Sequence, residues 1–336
     1  MDRALARIRS VDNGNVQQFG IVRAGEQALE ATILRGPYAG QTVSAHNMLI
    51  GKMETDKMFR EGDRAYLVLN VRDGEIVSAT AYDHYRLSIE LVLVALFALV
   101  LVAFAGWDGI RAMLSFTFAV VVIWKLLLPG ILAGWDPFVT SIAVVTLLTT
   151  VTLTLVGGLS VRAVVAILGA ILGIALTAGL ALLLLPPFNL HGAIQPFSET
   201  LLYSGFPDLN LTRMFLGAIF VGASGAVMDV AIDVSAAMYE VHLKRPDLSF
   251  GELVKSGFEV GRALTSTMVT TLLTAYAAGY MALLMVFLAK GTPPLQILNT
   301  NYVAAEVLKT VIGSFGLVTV APFTAIVGGL LYTRHV

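Results

Sequence analysis

The chain has 336 residues, 57% of them hydrophobic and only 13% charged, with a formal net charge of −1. Soluble domains carry about 25% charged residues, so this chain cannot cover itself with water-compatible surface and reads as a polytopic membrane protein. The near-neutral charge offers nothing to nucleic acid, the absence of cysteine removes thiolate chemistry and disulfides, and the five histidines (His46, His84, His191, His242 and His335) form no HExxH pair, which argues against a zinc hydrolase.

Residues 1–86 hold most of the charge density. The segments LARIRSV, QQFGIV, ALEATIL, QTVSA, DRAYLVL and EIVSATAY read as short strands, punctuated by Asn13-Gly14, Gly36-Pro37, Gly40, Gly62-Asp63 and Asp73-Gly74. Five or six strands in this length predict a small OB-like β-barrel. Barrels of this kind bind many things, so the fold alone fixes no ligand, and a protein or envelope component is the expected partner.

From Leu87 the chain becomes a series of apolar stretches long enough to cross a hydrocarbon core of about 30 Å. Spans are predicted near 87–105, 111–130, 137–157, 162–185, 213–236, 262–289 and 303–332, making an α-helical transmembrane domain over 87–336 with seven helices. With the β domain outside, the inner side collects Arg111, Arg162, Lys244, Arg245, Lys255, Arg262 and Arg334, and the outer side Lys125, Arg213, Lys290 and Lys309. The bias favours an extracytoplasmic barrel and a cytoplasmic C-terminus. The opening MDRALARIRS has no apolar run able to export the barrel, so a leading helix ahead of it is expected, an inverted orientation being the alternative.

The tetrapeptide AGWD recurs at 105–108 and 133–136, where Trp107 and Trp135 suit the interfaces and Asp108 and Asp136 suit helix caps. In the third span, Thr140, Thr146, Thr149, Thr150, Thr152 and Thr154, and in the fourth, Gly169 and Gly173, read as helix contacts. Residues 186–210, with four prolines, form the longest outer loop, re-entrant or on the surface. From Ser249 an amphipathic stretch suits a short helix along the inner membrane surface.

The fifth span, GASGAVMDVAIDVSAAMYE, carries Asp229 and Asp233 on one face with Gly222 and Ala226. An ionised carboxylate at a helix centre costs roughly 2.5–3.5 kcal/mol on insertion scales. The small residues predict a neighbouring helix on that face, so both aspartates are expected to point into the bundle. Asp233 lies about four residues from the inner end, roughly 6 Å at 1.5 Å per residue, within reach of Arg262, whereas Asp229 is about twice as deep.

In the sixth span, Thr267, Thr270, Thr271 and Thr274 form a stripe, with Ser266, Tyr276 and Tyr280 nearby. Its hydroxyls either complete a cation's oxygen shell beside Asp229 or bond to their own helix backbone. The seventh span supplies Glu306 and Lys309 at i,i+3, after Asn301, as a secondary candidate site or as a self-neutralising pair. Its Gly313, Gly316, Pro322, Gly328 and Gly329 predict a kinked or locally unwound helix.

These runs, together with GRALTSTMVTTLLTAY and NYVAAEVLKTVIGSFGLVTVAPFTAIV, resemble the YibE/F-like family of bacterial multi-pass membrane proteins, over about residues 87–332. The resemblance implies the bacterial cytoplasmic membrane and a hydrophobic segment before the β-rich leader; it implies no activity and no site residues. The residues themselves predict a secondary transporter or exporter of a small solute or ion in which Asp229 couples to a proton or metal cation, without another cofactor. A non-transporting scaffold, sensor or assembly factor acting through the β domain is the alternative. Paired aspartates on successive turns of one helix do not suit an aspartyl protease, and with no GxSxG, HExxH or phosphate-binding loop an enzyme is not expected. Solute, coupling ion and oligomeric state are not legible.

Overall fold

The computed structural model describes residues 2–333. Arg334 and His335, used above, lie outside them. By packing, the chain falls into two compact units, one reaching to Val100 and one from Leu101.

The first unit contains strands β1 (Asp2–Phe19), β2 (Val22–Ile33), β3 (Thr42–Ile50), β4 (Arg64–Arg72) and β5 (Glu75–His84), closed in the order β1-β2-β3-β5-β4. Antiparallel pairing of β1 with β4 closes the barrel, and a short parallel β3–β5 contact completes it, as expected of an OB-like barrel. Alternate residues such as Leu29, Ala31 and Ile33, or Ala65, Leu67 and Leu69, are buried, so period-2 patterning is what fixes register here. Several of the inward positions are alanines, and two amides, Gln27 and Asn47, are buried beside them. Gln27 accepts from the N–H of Phe59 at 3.0 Å and donates to its carbonyl at 3.0 Å, while the Asn47 amide donates to Gln27 Oε1 at 3.0 Å and to the Lys57 carbonyl at 2.6 Å. Bonded amides of this kind tie the connection before β4 into the barrel and offset the cost of burying their polar groups.

Asn13-Gly14 is not the turn its composition suggests. β1 runs straight through it, the Asp12 side chain accepting from Gly14 N–H at 2.8 Å where the register with β2 shifts, and the chain reverses at Gly20, whose φ of 59° suits glycine.

The helices are α1 (Leu87–Val122), a π-helical turn over Ile123–Leu127, α2 (Leu128–Leu132), α3 (Pro137–Gly157), α4 (Val161–Phe188), α5 (Ser198–Tyr203), α6 (Leu211–Lys244), α7 (Phe250–Gly279), α8 (Met281–Ala289), α9 (Pro294–Leu298) and α10 (Asn301–Tyr332). By length and apolarity, five helical stretches among the described residues can cross a membrane, or six if α7 and α8 form one broken span. The predicted seven differ only over Leu87–Leu132, a 46-residue stretch that would be roughly 70 Å long if straight. It is not straight: Gly106 has non-helical angles (φ 57°, ψ −125°), and a Cβ on Gly109 would lie 2.6 Å from the Leu101 carbonyl oxygen. The chain therefore folds sharply at Gly106 into two pieces, each of crossing length.

In the second unit α10 is central, packed on α4, α6 and α7. Its glycines mark close approaches: a Cβ would come within 2.0 Å of Thr177 Oγ1 at Gly316, 3.1 Å of Ala223 Cβ at Gly313, and 2.5 Å of Val254 at Gly329. The predicted unwinding of this span is absent. The helix is continuous through Pro322, because its glycines serve neighbouring helices and not a bend. The amphipathic stretch after Ser249 is likewise not a separate surface helix but the first turns of α7, started by a capping box in which the Glu252 carboxylate accepts from the Ser249 N–H at 2.9 Å; nothing after it interrupts helix. Asp136 caps α3, accepting from Val139 N–H at 2.9 Å, whereas Asp108 pairs with Arg111 within α1 and caps nothing. In the loop 189–210 a short 3-10 turn over Gly192–Ile194 lies so close to Leu211 that a Cβ on Gly192 would fall 1.8 Å from its carbonyl oxygen.

Candidate intramembrane site

Asp229 and Asp233 lie on one face of α6, as their spacing requires, but that face is open. Ala218, Gly222, Gly225, Asp229 and Asp233 are all exposed, and neither carboxylate makes a hydrogen bond or an ion pair with another described residue. The expected burial in the bundle is therefore not met at the aspartates; α6 packs on α3, α4, α7 and α10 mainly through other residues, such as Phe215, Ile219 and Val230, with Tyr276 of α7 reaching over Gly222 at the edge of this face. The suggested Asp233–Arg262 ion pair does not form among the described residues. Small residues at helical spacing signal close approach, but they do not say which molecule approaches.

The threonine stripe on α7 is also open. Thr267, Thr271 and Thr274 donate to carbonyls of their own helix, at 3.0 Å to Leu264, 3.2 Å to Thr267 and 3.0 Å to Thr270. Thr270 is exposed without such a bond. These hydroxyls satisfy helix backbone instead of completing a shell around Asp229. The neighbouring contacts Met238–Gly257 and Val234–Gly261 set an antiparallel register that nevertheless brings Asp229 level with Ser266 and Thr267.

Glu306 and Lys309 form a partly buried polar centre. Lys309 Nζ is 3.1 Å from Glu306 Oε2, with side-chain exposures of 15% and 12%, and stands 4.8 Å from the centroid of the Tyr276 ring. The other carboxylate oxygen, Glu306 Oε1, and the Tyr276 hydroxyl are both buried without a hydrogen-bond partner. Tyr276 reaches this position by lying over Gly222, where a Cβ would be 2.7 Å from its hydroxyl. The pairs Gly257–Ala325, Gly261–Ala321 and Tyr276–Lys309 continue along α7 and α10, so that Glu306 comes level with the end of α7. There the span breaks: α7 stops at Gly279 and α8 leaves at 66°. A pocket of about 200 Å³ lies at the break, lined by Tyr280, Glu306 and Thr310 among apolar side chains. Asn301, the first residue of α10, is exposed and outside this cluster.

Two further arrangements escape sequence reading. At the end of α6 nearest its start, Arg213 forks onto Asp136 from 77 residues away, Nη2 donating at 3.0 Å, and stacks 5.5 Å from the Phe138 centroid. Partial burial alone would raise the Asp136 pKa, but the Val139 N–H and the guanidinium outweigh it and hold the carboxyl below its usual range. At the opposite end, Tyr332 lies against Ser235, Tyr239 and His242, and Arg162 over Tyr239. Among the described residues no three acidic or histidine side chains converge on a metal position.

Crossing-length apolar helices, one of them broken, together with an OB-like barrel define a multi-pass membrane protein with a small β-barrel domain. The model of the YibE/F-like protein family matches residues 93–334, and the chain belongs to that family. No curated protein and no solved structure matches it.

Proposed function

We propose that this chain is a secondary transporter or exporter of a small solute or ion, working in a bacterial cytoplasmic membrane with the barrel outside and the C-terminus inside. One observation carries the reading. A crossing-length helix breaks at Tyr280 beside a partly buried Glu306–Lys309 pair, and two polar atoms there, Glu306 Oε1 and Tyr276 OH, are left without partners. Broken helices free backbone groups at membrane depth and are a recurrent way of building solute and ion sites. Polar groups in the membrane interior are costly and are ordinarily kept for function.

Asp229 has the coupling role. No described cation neutralises it, so a proton or an ion must do so wherever its face meets a low-dielectric medium. The alternative is a non-transporting scaffold, sensor or assembly factor acting through the β domain, for which the open face of α6 offers a further surface to a protein partner.

Thermal unfolding of the purified protein in detergent, across pH and a panel of Na⁺, K⁺, Mg²⁺, Mn²⁺ and Ca²⁺, separates the two. A coupling ion or proton bound only by the folded state raises the melting point of the wild type, and Asp229→Asn removes that response. Identical melting of both proteins under every condition would remove Asp229 from the mechanism and favour the scaffold.

A further inference from the structure

The end of the helical unit where α3 and α6 both begin holds an arrangement that the transport reading does not use. A cavity of about 450 Å³ there is walled by the segments 131–137 and 205–210 and carries Trp135, Asp136, Asp208 and Arg213 in its lining. An apolar groove of about 570 Å³ follows α3 past Val139, Ala143 and Leu147, with Leu126 of the π-helical turn beside it. Trp135 and Asp136 line both, so a polar mouth runs on into an apolar groove.

The fold holds each part in place. The Trp135 N–H donates to the Gly130 carbonyl at 3.0 Å, and the indole lies so close that a Cβ on Gly130 would stand 2.5 Å from Trp135 Cε3. Leu209 packs on the cluster containing Leu127, Ile131 and Val144, while its neighbour Asp208 stays exposed in the cavity wall. The π-helical turn that supplies Leu126 is a rare element, found most often at functional sites.

Length and charge together define the ligand. From Asp136 to Leu147 the groove follows α3 for roughly 16 Å at 1.5 Å per residue, about one leaflet of a hydrocarbon core some 30 Å thick. Tryptophan favours the headgroup level of a bilayer, which puts the mouth where a lipid head lies and the groove where its chain lies. Within the cavity Arg213 and Asp136 cancel, because Nε and Nη2 both meet the Asp136 carboxylate. Asp208 forms no ion pair among the described residues and leaves the mouth with an uncompensated negative charge. A head bearing a cation complements it. Arg213 Nη1 has no described partner, and a phosphate oxygen is a strong acceptor for its N–H groups.

We infer that this is a binding site for a phospholipid with a primary ammonium head, chemically a phosphatidylethanolamine. Its ammonium donates to Asp208, its phosphate accepts from Arg213 Nη1, and one acyl chain lies along Val139, Ala143 and Leu147. A phosphatidylglycerol brings no cation to Asp208, and a choline head has no N–H to donate to the carboxylate. The site requires a membrane but does not depend on transport.

The test uses the full chain in detergent micelles doped with phosphatidylethanolamine, phosphatidylcholine or phosphatidylglycerol of identical acyl chains, read as the rise in melting point against lipid fraction. The wild type should reach half-saturation with phosphatidylethanolamine at a concentration lower by about two- to fivefold than with either other lipid, the size expected of one exposed charge pair. Asp208→Asn should abolish that difference, and Asp208→Lys should move the preference to phosphatidylglycerol. Ala143 is exposed, so Ala143→Phe fills the groove without crowding the core and should remove the response to all three lipids. If that variant does not fold, Val139→Trp blocks the same groove from another exposed position. Soluble phosphoethanolamine, the same head without chains, should give no rise at matching concentrations. Equal responses of the wild type to the three lipids would overturn the proposal, as would a preference that survives Asp208→Asn or a response that survives a filled groove. A rise with phosphoethanolamine equal to that with the lipid would make the ligand a soluble phosphate and overturn the lipid assignment.

Discussion

Asp136 is a single residue with two jobs that can be separated. It caps α3 through Val139 and forks with Arg213. Asparagine caps helices about as well as aspartate, so Asp136→Asn keeps the first job and removes the charge of the second. Because the folded-state pKa is lowered, the pair's contribution is fully present above the unfolded value, about 3.9, and disappears as pH falls through the lower folded value. The wild type should therefore melt slightly above Asp136→Asn at pH 7, by no more than about 1 kcal/mol since the pair is partly exposed and solvent screens it. The two melting curves should converge as the pH is taken below the unfolded value and through the lower folded one. An offset that stays constant through the acid range would assign the effect to packing instead. The partnership itself was hidden from the sequence, since nothing local links residues 77 positions apart, whereas the cap was legible from Trp-Asp-Pro.

Among elements, the contact between α4 and α10 depends on having no side chain at specific positions. A Cβ on Gly169 would stand 2.1 Å from Thr324 Oγ1 and 2.8 Å from the Thr324 Cα, so backbone would have to move. On the same helix Gly179 meets nothing within 4 Å. Gly169→Ala should cost at least about 1–3 kcal/mol through overpacking, while Gly179→Ala should be neutral or stabilising by up to about 1 kcal/mol. Melting temperatures of the two variants check this, and equal losses would mean that α4 does not pack on α10 as described. The glycines of α10 show why such features are half legible. Their spacing announces close approach, but the same residues also permit a kink, and only the neighbours decide. Conversely the break at Tyr280 lies inside an apolar run with Gly279 as its one signal, and the fold at Gly106 was legible only as a change of polarity around Trp107-Asp108.

For the whole molecule, two patterns were sufficient to separate barrel from helices: period-2 burial up to His84 and long apolar runs from Leu87. The barrel's closure follows from that patterning together with the bonded Gln27–Asn47 pair, which no local rule anticipates. The candidate site was legible as residues but not as a constellation. Asp229 and Asp233 drew attention through their cost, yet they face outward, and the partly buried polar centre belongs to Tyr276 with Glu306 and Lys309, an i,i+3 spacing that also describes an ordinary surface pair. The opposing faces of α7 and α10 had to be brought together before the difference was visible.

Transport is the central claim, and flux tests it most directly. The wild type, Asp229→Asn and Glu306→Gln would be reconstituted in liposomes loaded with a pH-sensitive dye, and a panel of small solutes and the metal chlorides offered under an imposed pH or ion gradient. The account predicts solute- or gradient-dependent flux in the wild type, uncoupled or lost in Asp229→Asn and lost in Glu306→Gln. Folded, monodisperse wild type that moves neither protons nor any offered solute beyond empty liposomes, with both variants indistinguishable from it, would contradict the account and direct attention to a partner on the open face of α6.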